Sequence, residues 1–428
     1  MDKVDQRGFS NQQAGSDNQR AELLTGDEAA ALLGVKRETL YAYASRGLVR
    51  SVPAEGTRSR LYVRADLEGL RAKSDARRGH GPVAAGALHW GEPILATAIS
   101  AIGPEGPRYR GKSAVALAEA ATPFEAVAEL LWTGELSAEH PPWGADDPGA
   151  PVSRLAEMVP EGAHPLTALA LATGALAARD EARFSASDAA ELTRARSLLP
   201  RLAALLALPL DPHRVGPALA QTSVARIVLT ALGARTNARA EAAIERALVV
   251  MADHELNAST FAVRVVASTG ADLYACVGAG LAALSGPRHG GECDRVEALV
   301  HEVARAPLAA QILAARARRG EAAPGFGHRL YTAGDPRTLV LLEAARALGS
   351  KRAELSALFA VVDAAREAGQ PPPTVDVGLV AISLALGLPP GSAAGLFAIG
   401  RTAGWIAHAL EQRAEGNLLR PRARYTGP

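Results

Sequence analysis

The chain has 428 residues, 48% hydrophobic and 21% charged, with a formal net charge of +1; this length admits two or three domains around a large core, and near-neutrality excludes a uniformly basic nucleic-acid coat. Aromatic residues are only 4% beside abundant Ala and Leu, which points to helices packed through small side chains rather than to a β-sandwich. No apolar run reaches the ~18–20 residues of a membrane span, no signal-peptide stretch stands at the N-terminus, and Cys276 and Cys293 cannot build a disulfide framework, so the expected setting is soluble, reducing and cytoplasmic.

Residues 1–21 are polar, rich in Gln and Asn and without periodicity, and read as a disordered arm. Thr25-Gly26-Asp27-Glu28 fits a capping box, with Ala29, Leu32 and Leu33 as the buried stripe of the helix and Gly34 as its stop. Lys36–Ser45 reads as a second helix stopped by Gly47, Leu48–Val63 as a small hairpin around Pro53–Gly56, and Asp66–Arg78 as helix again. Residues 22–78 thus form one small domain, and 79–88 a linker. From Trp90 onward nearly every segment carries helical periodicity, as in Ser113–Ala121, Pro123–Trp132, Pro165–Ala178, Ser187–Leu206 and Ala240–Met251, with Ser137–Pro151 a loop. Residues 89–428 are therefore expected to be all-α, with more than ten helices.

A helix, a Gly-containing turn and a second helix at this spacing signal a helix-turn-helix. Lys36, Arg37 and Thr39 lie early on the second helix, where a recognition helix meets base edges, and Tyr41 and Tyr43 are within reach of phosphates. Between residues 36 and 78 eleven basic residues stand against Glu38, Glu55, Asp66, Glu68 and Asp75. Such a local excess gives salt-dependent DNA binding, with Arg50 expected on the phosphates. The pattern LTGDEAAALLGVKRETLYAYASRGLV…SRLYVRADLEGL resembles the excisionase and MerR-type winged helix-turn-helix family. That resemblance puts Arg58 and Arg60 beside the wing, with duplex DNA as the expected partner. A protein-docking module is the alternative.

The chemistry-bearing candidates lie in the last ~180 residues. His254 and Asn257 are three apart, so on a helix they share one face and are candidate substrate contacts. His289 stands among Gly286, Gly290 and Gly291, where the backbone can bend and a ligand can come close. It also precedes an amphipathic run, Cys293–Ala304, whose N-terminal dipole disfavours the protonated ring and keeps it a neutral hydrogen-bond donor. His328 follows in PGFGHR, then Arg337 after Asp335-Pro336, Asp376 after Pro371–Pro373, Arg401 between Phe397 and Trp405, and Arg420 near the C-terminus. Asp376 could equally cap the next helix. His289 and Cys293 have the spacing of a helical metal pair, but no further ligand cluster accompanies them, so no metal site is expected.

In this order the blocks resemble the citrate synthase family, including the methylcitrate synthases. HWGEPILATAISAI, RYRGKSAVALAEAA and FEAVAELLWTGEL carry the likeness upstream, from about Trp90 to Gly427. The resemblance implies a mostly helical fold, with a small domain of roughly 290–390 inserted in a large one. It implies condensation of acetyl-CoA with oxaloacetate to citrate and CoA. It implies no metal, no cofactor beyond the acyl-CoA cosubstrate, and a homodimer or higher oligomer. By the same likeness Asp376 is the base that deprotonates acetyl-CoA, and His289 the neutral histidine on the thioester oxygen. His328 is the acid toward the oxaloacetate carbonyl, and His254 another oxaloacetate contact. Arg337, Arg401 and Arg420 of the partner subunit form the clamp on the two carboxylates.

The residue types suit this chemistry. A thioester α-carbon is a poor acid, so a base must act together with an electrophile at the carbonyl. A buried dicarboxylate calls for planar, bidentate guanidinium partners. Three departures from the family pattern stand out. Met251 occupies a position that usually carries His, Glu292-Cys293-Asp294 replaces a small residue followed by Asn, and Val377 follows Asp376 where an aromatic is common. Two other functions fit the same residues: 2-methylcitrate synthesis from propionyl-CoA, and a DNA-binding regulator whose synthase-like domain senses metabolites.

Overall fold

The computed structural model describes residues 23–45, 48–54, 60–64, 66–68, 95–137, 143–145, 147–185, 187–305, 309–421, 425 and 427. The expected arm 1–21, the linker 79–88 and Arg58 lie outside the described residues. The described residues fall into an N-terminal unit and a large unit spanning Leu95–Arg420.

In the N-terminal unit the capping box forms as expected. Thr25 Oγ1 accepts the Glu28 N–H, and the Glu28 carboxylate accepts the Thr25 N–H at 2.8 Å. Helix α1 (Gly26–Leu33) then ends at Gly34, whose φ of 62° is the left-handed stop that glycine adopts without strain. Helix α2 (Arg37–Ser45) follows. The hairpin forms from β2 (Ser51–Pro53) and β3 (Arg60–Val63), and a strand not anticipated, β1 (Leu23–Leu24), pairs with the other edge of β3. Ala29, Leu40, Val49, Tyr62 and Leu67 make the small core.

The large unit is mostly helical, as expected, but it opens with a small sheet that the helical periodicity did not announce. Strands β4 (Ser100–Gly103), β5 (Gly106–Tyr109) and β6 (Lys112–Ser113) form an antiparallel sheet in that order. Gly103 pairs with Gly106 across Pro104-Glu105, and Gly106 takes φ 97°, so a two-residue turn overrides the weak helical periodicity. Sixteen α-helices and one short 3-10 turn (Pro212–Arg214) follow among the described residues. They are α3 (Ala114–Glu119), α4 (Phe124–Thr133), α5 (Val152–Met158), α6 (Pro165–Arg179), α7 (Asp188–Leu205), α8 (Val215–Leu219), α9 (Val224–Ala231) and α10 (Ala238–Met251). Next come α11 (Ala258–Ser268), α12 (Leu273–Leu284), α13 (Gly291–Arg305), α14 (Ala309–Arg318), α15 (Pro336–Ala347), α16 (Ala353–Glu367), α17 (Val375–Leu386) and α18 (Ser392–Glu415). None is long and apolar enough to cross a membrane.

Helix α18 is the axis of the unit. It packs against α4, α6, α7, α10, α11, α12, α13 and α17, and is buried all round from Ser392 to Ala409. A helix in that position reads apolar on every face, and SAAGLFAIGRTAGWIAHAL does so with small residues that admit close neighbours. At Gly404 the approach is closest: its N–H donates to the Ala252 carbonyl at 2.9 Å, and a Cβ there would strike Ala252 and Asp253. The segment after α10 is thereby held against α18.

Two carboxylates pack together inside the helical layers. Glu125 of α4 accepts the Val224 N–H at 2.7 Å, and Glu245 of α10 accepts the Phe124 N–H at 2.8 Å, so each satisfies a helix N-terminus. Burial first, then the neighbouring Glu125, pushes Glu245 well above the usual carboxylate range. A group with a raised folded pKa stabilises fully below its unfolded pKa, and that stability is lost as pH rises through the folded value. Melting temperatures are therefore expected to fall between pH 6 and pH 9 by on the order of 2 °C or more. Glu245→Gln should remove part of that fall, since Gln keeps the acceptor without the charge. Parallel melting curves of the two proteins at both pH values check it.

Candidate active site

Residues 252–257 join α10 to α11 as a loop, so His254 and Asn257 do not share a helix face, correcting the reading from their spacing. Asn257 instead caps α11: its Oδ1 accepts the Thr260 N–H at 3.0 Å and the Ser259 hydroxyl at 2.8 Å. The wholly buried Asp253 anchors the loop. Its Oδ2 accepts the Ser100 hydroxyl, the Glu255 N–H at 3.0 Å and a contact from His408 Nε2 at 3.3 Å. The Tyr109 hydroxyl lies 3.0 to 3.3 Å from the Val249, Val250 and Asp253 carbonyls, so the unexpected sheet also braces the loop.

Around this anchor several candidates converge. The buried His254 ring lies 5.8 Å from the His328 ring, and its Nε2 is 2.9 Å from the Tyr331 hydroxyl. His328 is half-buried, and its Nδ1 accepts the Leu330 N–H at 3.1 Å, which assigns the proton of the neutral ring to Nε2. His289 Nε2 lies 2.9 Å from Ser259 Oγ, which also accepts the Trp405 indole N–H at 3.2 Å. The three imidazoles are all harder to protonate than free histidine. Burial and then Arg337 and Arg401 hold His254 well below its usual value. Burial and then Arg401 bring His289 to about 4, and burial with Arg337 lowers His328. The neutral state expected of His289 is present, with burial rather than the helix dipole as its main cause.

The two arginines lie deepest. Arg337 is 2% exposed and directs Nε and Nη2 at the two Asp335 oxygens, at 2.9 and 2.7 Å. Arg401 is 1% exposed, gives Nε to the Met251 carbonyl at 2.9 Å, and lies 5.0 Å from the Phe397 ring. Among the described residues its Nη1 is buried with no hydrogen-bond partner, and burial lowers its pKa to about 10. The usual His at position 251 is thus replaced by a residue that contributes its carbonyl. Such a guanidinium is a ready receptor for an anion.

Asp376 lies in the first turn of α17, but Thr374 is the N-cap and no side chain makes the capping bond, so Asp376 is not a cap. Its Oδ2 accepts the Thr374 hydroxyl at 2.8 Å and its Oδ1 the Cys293 thiol at 3.3 Å. Burial raises its pKa. The His328 loop is stitched to this helix start: Thr374 N–H donates to the Gly325 carbonyl at 2.7 Å, and Gly327 N–H to the Pro372 carbonyl at 2.9 Å. Arg420 is exposed beyond α18, and no hydrogen bond or ion pair ties it to this cluster among the described residues.

Sequence reasoning missed Tyr331, Ser259 and the Asp253–His408 pair. Tyr331 was detectable as a polar ring three residues beyond His328, whereas His408 lies in an Ala-rich stretch that gives no such signal. In the N-terminal unit Lys36 and Tyr41 are exposed and Thr39 is half-buried. The basic excess is partly neutralised: Arg37 pairs with Asp27, Arg64 with Glu68, and Arg50 bidentately with Asp66 at 2.9 Å. Arg50 therefore braces its own unit through Asp66. Arg60 donates to Ser51 across the hairpin.

Known proteins resemble this chain over most of its length. Residues 87–422 match the model of the citrate synthase C-terminal domain. A putative citrate synthase 2 of Mycobacterium tuberculosis is 42% identical over 193 residues, 44% of this chain and 51% of that protein, so this match spans about half the relative's length. A 2-methylcitrate synthase of Mycobacterium tuberculosis is 30% identical over 367 residues, covering 79% of this chain and 89% of that protein. The citrate synthase of Thermoplasma acidophilum, solved as a ternary complex with carboxymethyl coenzyme A and oxaloacetate, superposes with a TM-score of 0.68 and 25% identity, covering 79% of this chain and 95% of that one.

Proposed function

The chain belongs to the citrate synthase family, a family of acyltransferases, and from that premise we propose that it condenses acetyl-CoA with oxaloacetate to give citrate and CoA. Asp376 takes a proton from the methyl group beside the thioester. When the Ser259 hydroxyl turns from Asn257 to His289 Nε2, the neutral ring carries its proton on Nδ1 and donates it to the thioester oxygen as it becomes enolic, a donor aimed at charge that develops only during reaction. The enol carbon bonds to the oxaloacetate carbonyl carbon, and the Nε2 proton of His328 passes to that carbonyl oxygen. Water then hydrolyses the citryl thioester and releases CoA. His254 and Tyr331 line the oxaloacetate side. Residues 290–390 act as a small domain whose closure keeps the enol from water.

The observation that carries this reading is the buried, unpartnered Nη1 of Arg401. A substrate carboxylate completes it, and Arg337 supplies the second cation. Replacing a buried charge by an apolar side chain of similar volume is often neutral or stabilising. Arg401→Met is therefore expected to keep or raise the Tm of the free protein while abolishing the rise that oxaloacetate gives the wild type. In a free-CoA assay CoA should appear only when acyl-CoA and oxaloacetate are both present, and Asp376→Ala should lower turnover by at least ~100-fold. Equal rates for that variant would reject Asp376 as the base. Faster release from propionyl-CoA would make the reaction 2-methylcitrate synthesis, and oxaloacetate binding without turnover would make the unit a sensor.

The active unit proposed is a homodimer, in which Arg420 of the partner subunit completes the carboxylate clamp. Its exposure beyond the last helix supports a reach outward. Co-refolding Arg420→Ala with Asp376→Ala should restore about a quarter of wild-type activity, because half the dimers then hold one intact site under two-fold symmetry. Heterodimers as inactive as their parents would reject the shared site.

For the N-terminal unit we propose a winged helix-turn-helix that binds duplex DNA through Lys36, just before α2, and Arg37, Thr39 and Tyr41 on it, with Arg60 on the hairpin. The order α1, α2, then the β2–β3 hairpin supports it. Anisotropy of the full chain with a randomised duplex pool should show affinity falling steeply with salt, and weaker binding for Lys36→Ala. No binding to any duplex at low salt would favour the docking module.

A further inference from the structure

The first turn of α13 grips two parts of the site at once. Cys293, wholly buried, donates its thiol to Asp376 Oδ1 at 3.3 Å. Beside it, Glu292 Oε1 accepts the Gly325 N–H at 2.6 Å and so holds the loop that carries His328. With Thr374 on Oδ2, both oxygens of Asp376 are held from two different elements. A thiol on a carboxylate invites a redox or nucleophilic role, but this one is inert: burial, then Asp376 itself, keeps it protonated far above its usual range. Its function is that of a donor.

We propose that Cys293 is a positioning residue for the catalytic base, fixing the orientation and basicity of the Asp376 carboxylate through its S–H donor. The proposal rests on the reading of Asp376 as base. The charged groups acting on Asp376 are Glu292 of α13, which raises its pKa, and Arg337 of α15, which lowers it and is itself paired with Asp335. Asp294 and Glu297 of α13 bear on the thiol. On α16, Asp363, Arg366 and Glu367 are exposed. On α10, Glu241 and Glu245 turn to Ser223, Arg226 and Phe124 instead. None of these groups changes when Cys293 is replaced.

A donor favours the ionised carboxylate, so its loss raises the pKa of the base. The acidic limb of kcat/KM reports that pKa in the free enzyme. Cys293→Ala in the full-length enzyme is expected to move the limb upward by about 0.5–1 pH unit, the scale of one weak hydrogen bond to a charge. Plateau kcat should fall on the order of tenfold, with the KM for oxaloacetate unchanged. Cys293→Ser, which keeps a donor, should bring the limb back toward the wild type. Cys276→Ala, at the other buried cysteine, should leave it unmoved. A Cys293→Ala protein with lowered Tm and an unmoved limb would overturn the positioning role. Should both Cys293 variants fail to fold, the infrared S–H stretch of the Cys276→Ala protein decides: the Cys293 band should shift with the same midpoint as the limb, and a band constant across it overturns the proposal. Asp376→Ala at full rate would sink the base assignment itself. An inactive Asp376→Ala beside an unmoved Cys293→Ala limb would sink this inference alone.

Discussion

Two guanidinium groups held inside an apolar centre set the electrostatics on which the rest of the site depends. Burying an ion costs on the order of several kcal/mol even after relaxation, unless a partner offsets it. Arg337 has Asp335 as that partner, whereas Arg401 has, among the described residues, the Met251 carbonyl, the Phe397 face and the nearby charge of Asp253 but no ion pair. The surroundings respond in one direction. His254, His289 and His328 are all pushed toward neutrality, by burial first and by these cations next. The Tyr331 phenol is raised to about 12 by burial, although both arginines oppose it, and therefore keeps its proton. Apart from Asp335 and Asp253, what faces the cations is a set of neutral hydrogen-bonding groups, so part of the positive field remains available to an entering anion.

The backbone supports this arrangement through the small residues of α18. Because Gly404 has no side chain, residues 252–257 can lie against the helix, and Asp253 can reach His408 on the same helix. Burial alone would raise Asp253; His408, Arg401 and Ser100 together hold it below the usual carboxylate range. Asp253 thereby ties the sheet to the loop that bears His254. A chain with few aromatics and many Ala and Gly residues is suited to backbone approaches of this kind, and the weak side-chain periodicity it leaves behind is the consequence.

That weakness explains which parts of the molecule were legible in advance. The capping box at Thr25 and Glu28, the glycine stop at Gly34 and the long helices from Phe124 to Met251 depend on local spacing, and they form close to where spacing puts them. The β4–β5 hairpin was not legible, because its strands are four residues each and their inward face is shared by Ser100 and Tyr109 rather than by an apolar run. His254 and Asn257 have helical spacing but lie in a loop that Asp253 holds by long-range contacts. A count of basic against acidic residues did not show that Arg37, Arg50 and Arg64 pair with Asp27, Asp66 and Glu68 in three dimensions. Composition shows charge; only the fold shows which charge is already answered.

The proposed base, Asp376, sits in a different electrostatic setting from the histidines. Asp376 lies beside Glu292 and beyond the carbonyl-lined stitch between residues 325–327 and 372–374, and its pKa is raised where theirs are lowered. Divergent shifts of this kind separate the group that accepts a proton from those that donate hydrogen bonds. Burial makes the carboxylate more basic, while each donor on its oxygens makes it less so. Where the family pattern has an amide, this chain offers a thiol, a weaker donor than an amide N–H. A weak donor can fix the carboxylate in direction while taking little of the basicity that burial confers. On that argument the substitution at Cys293 is compatible with a working base, and its effect is to be sought in the pH at which the base acts rather than in whether it acts.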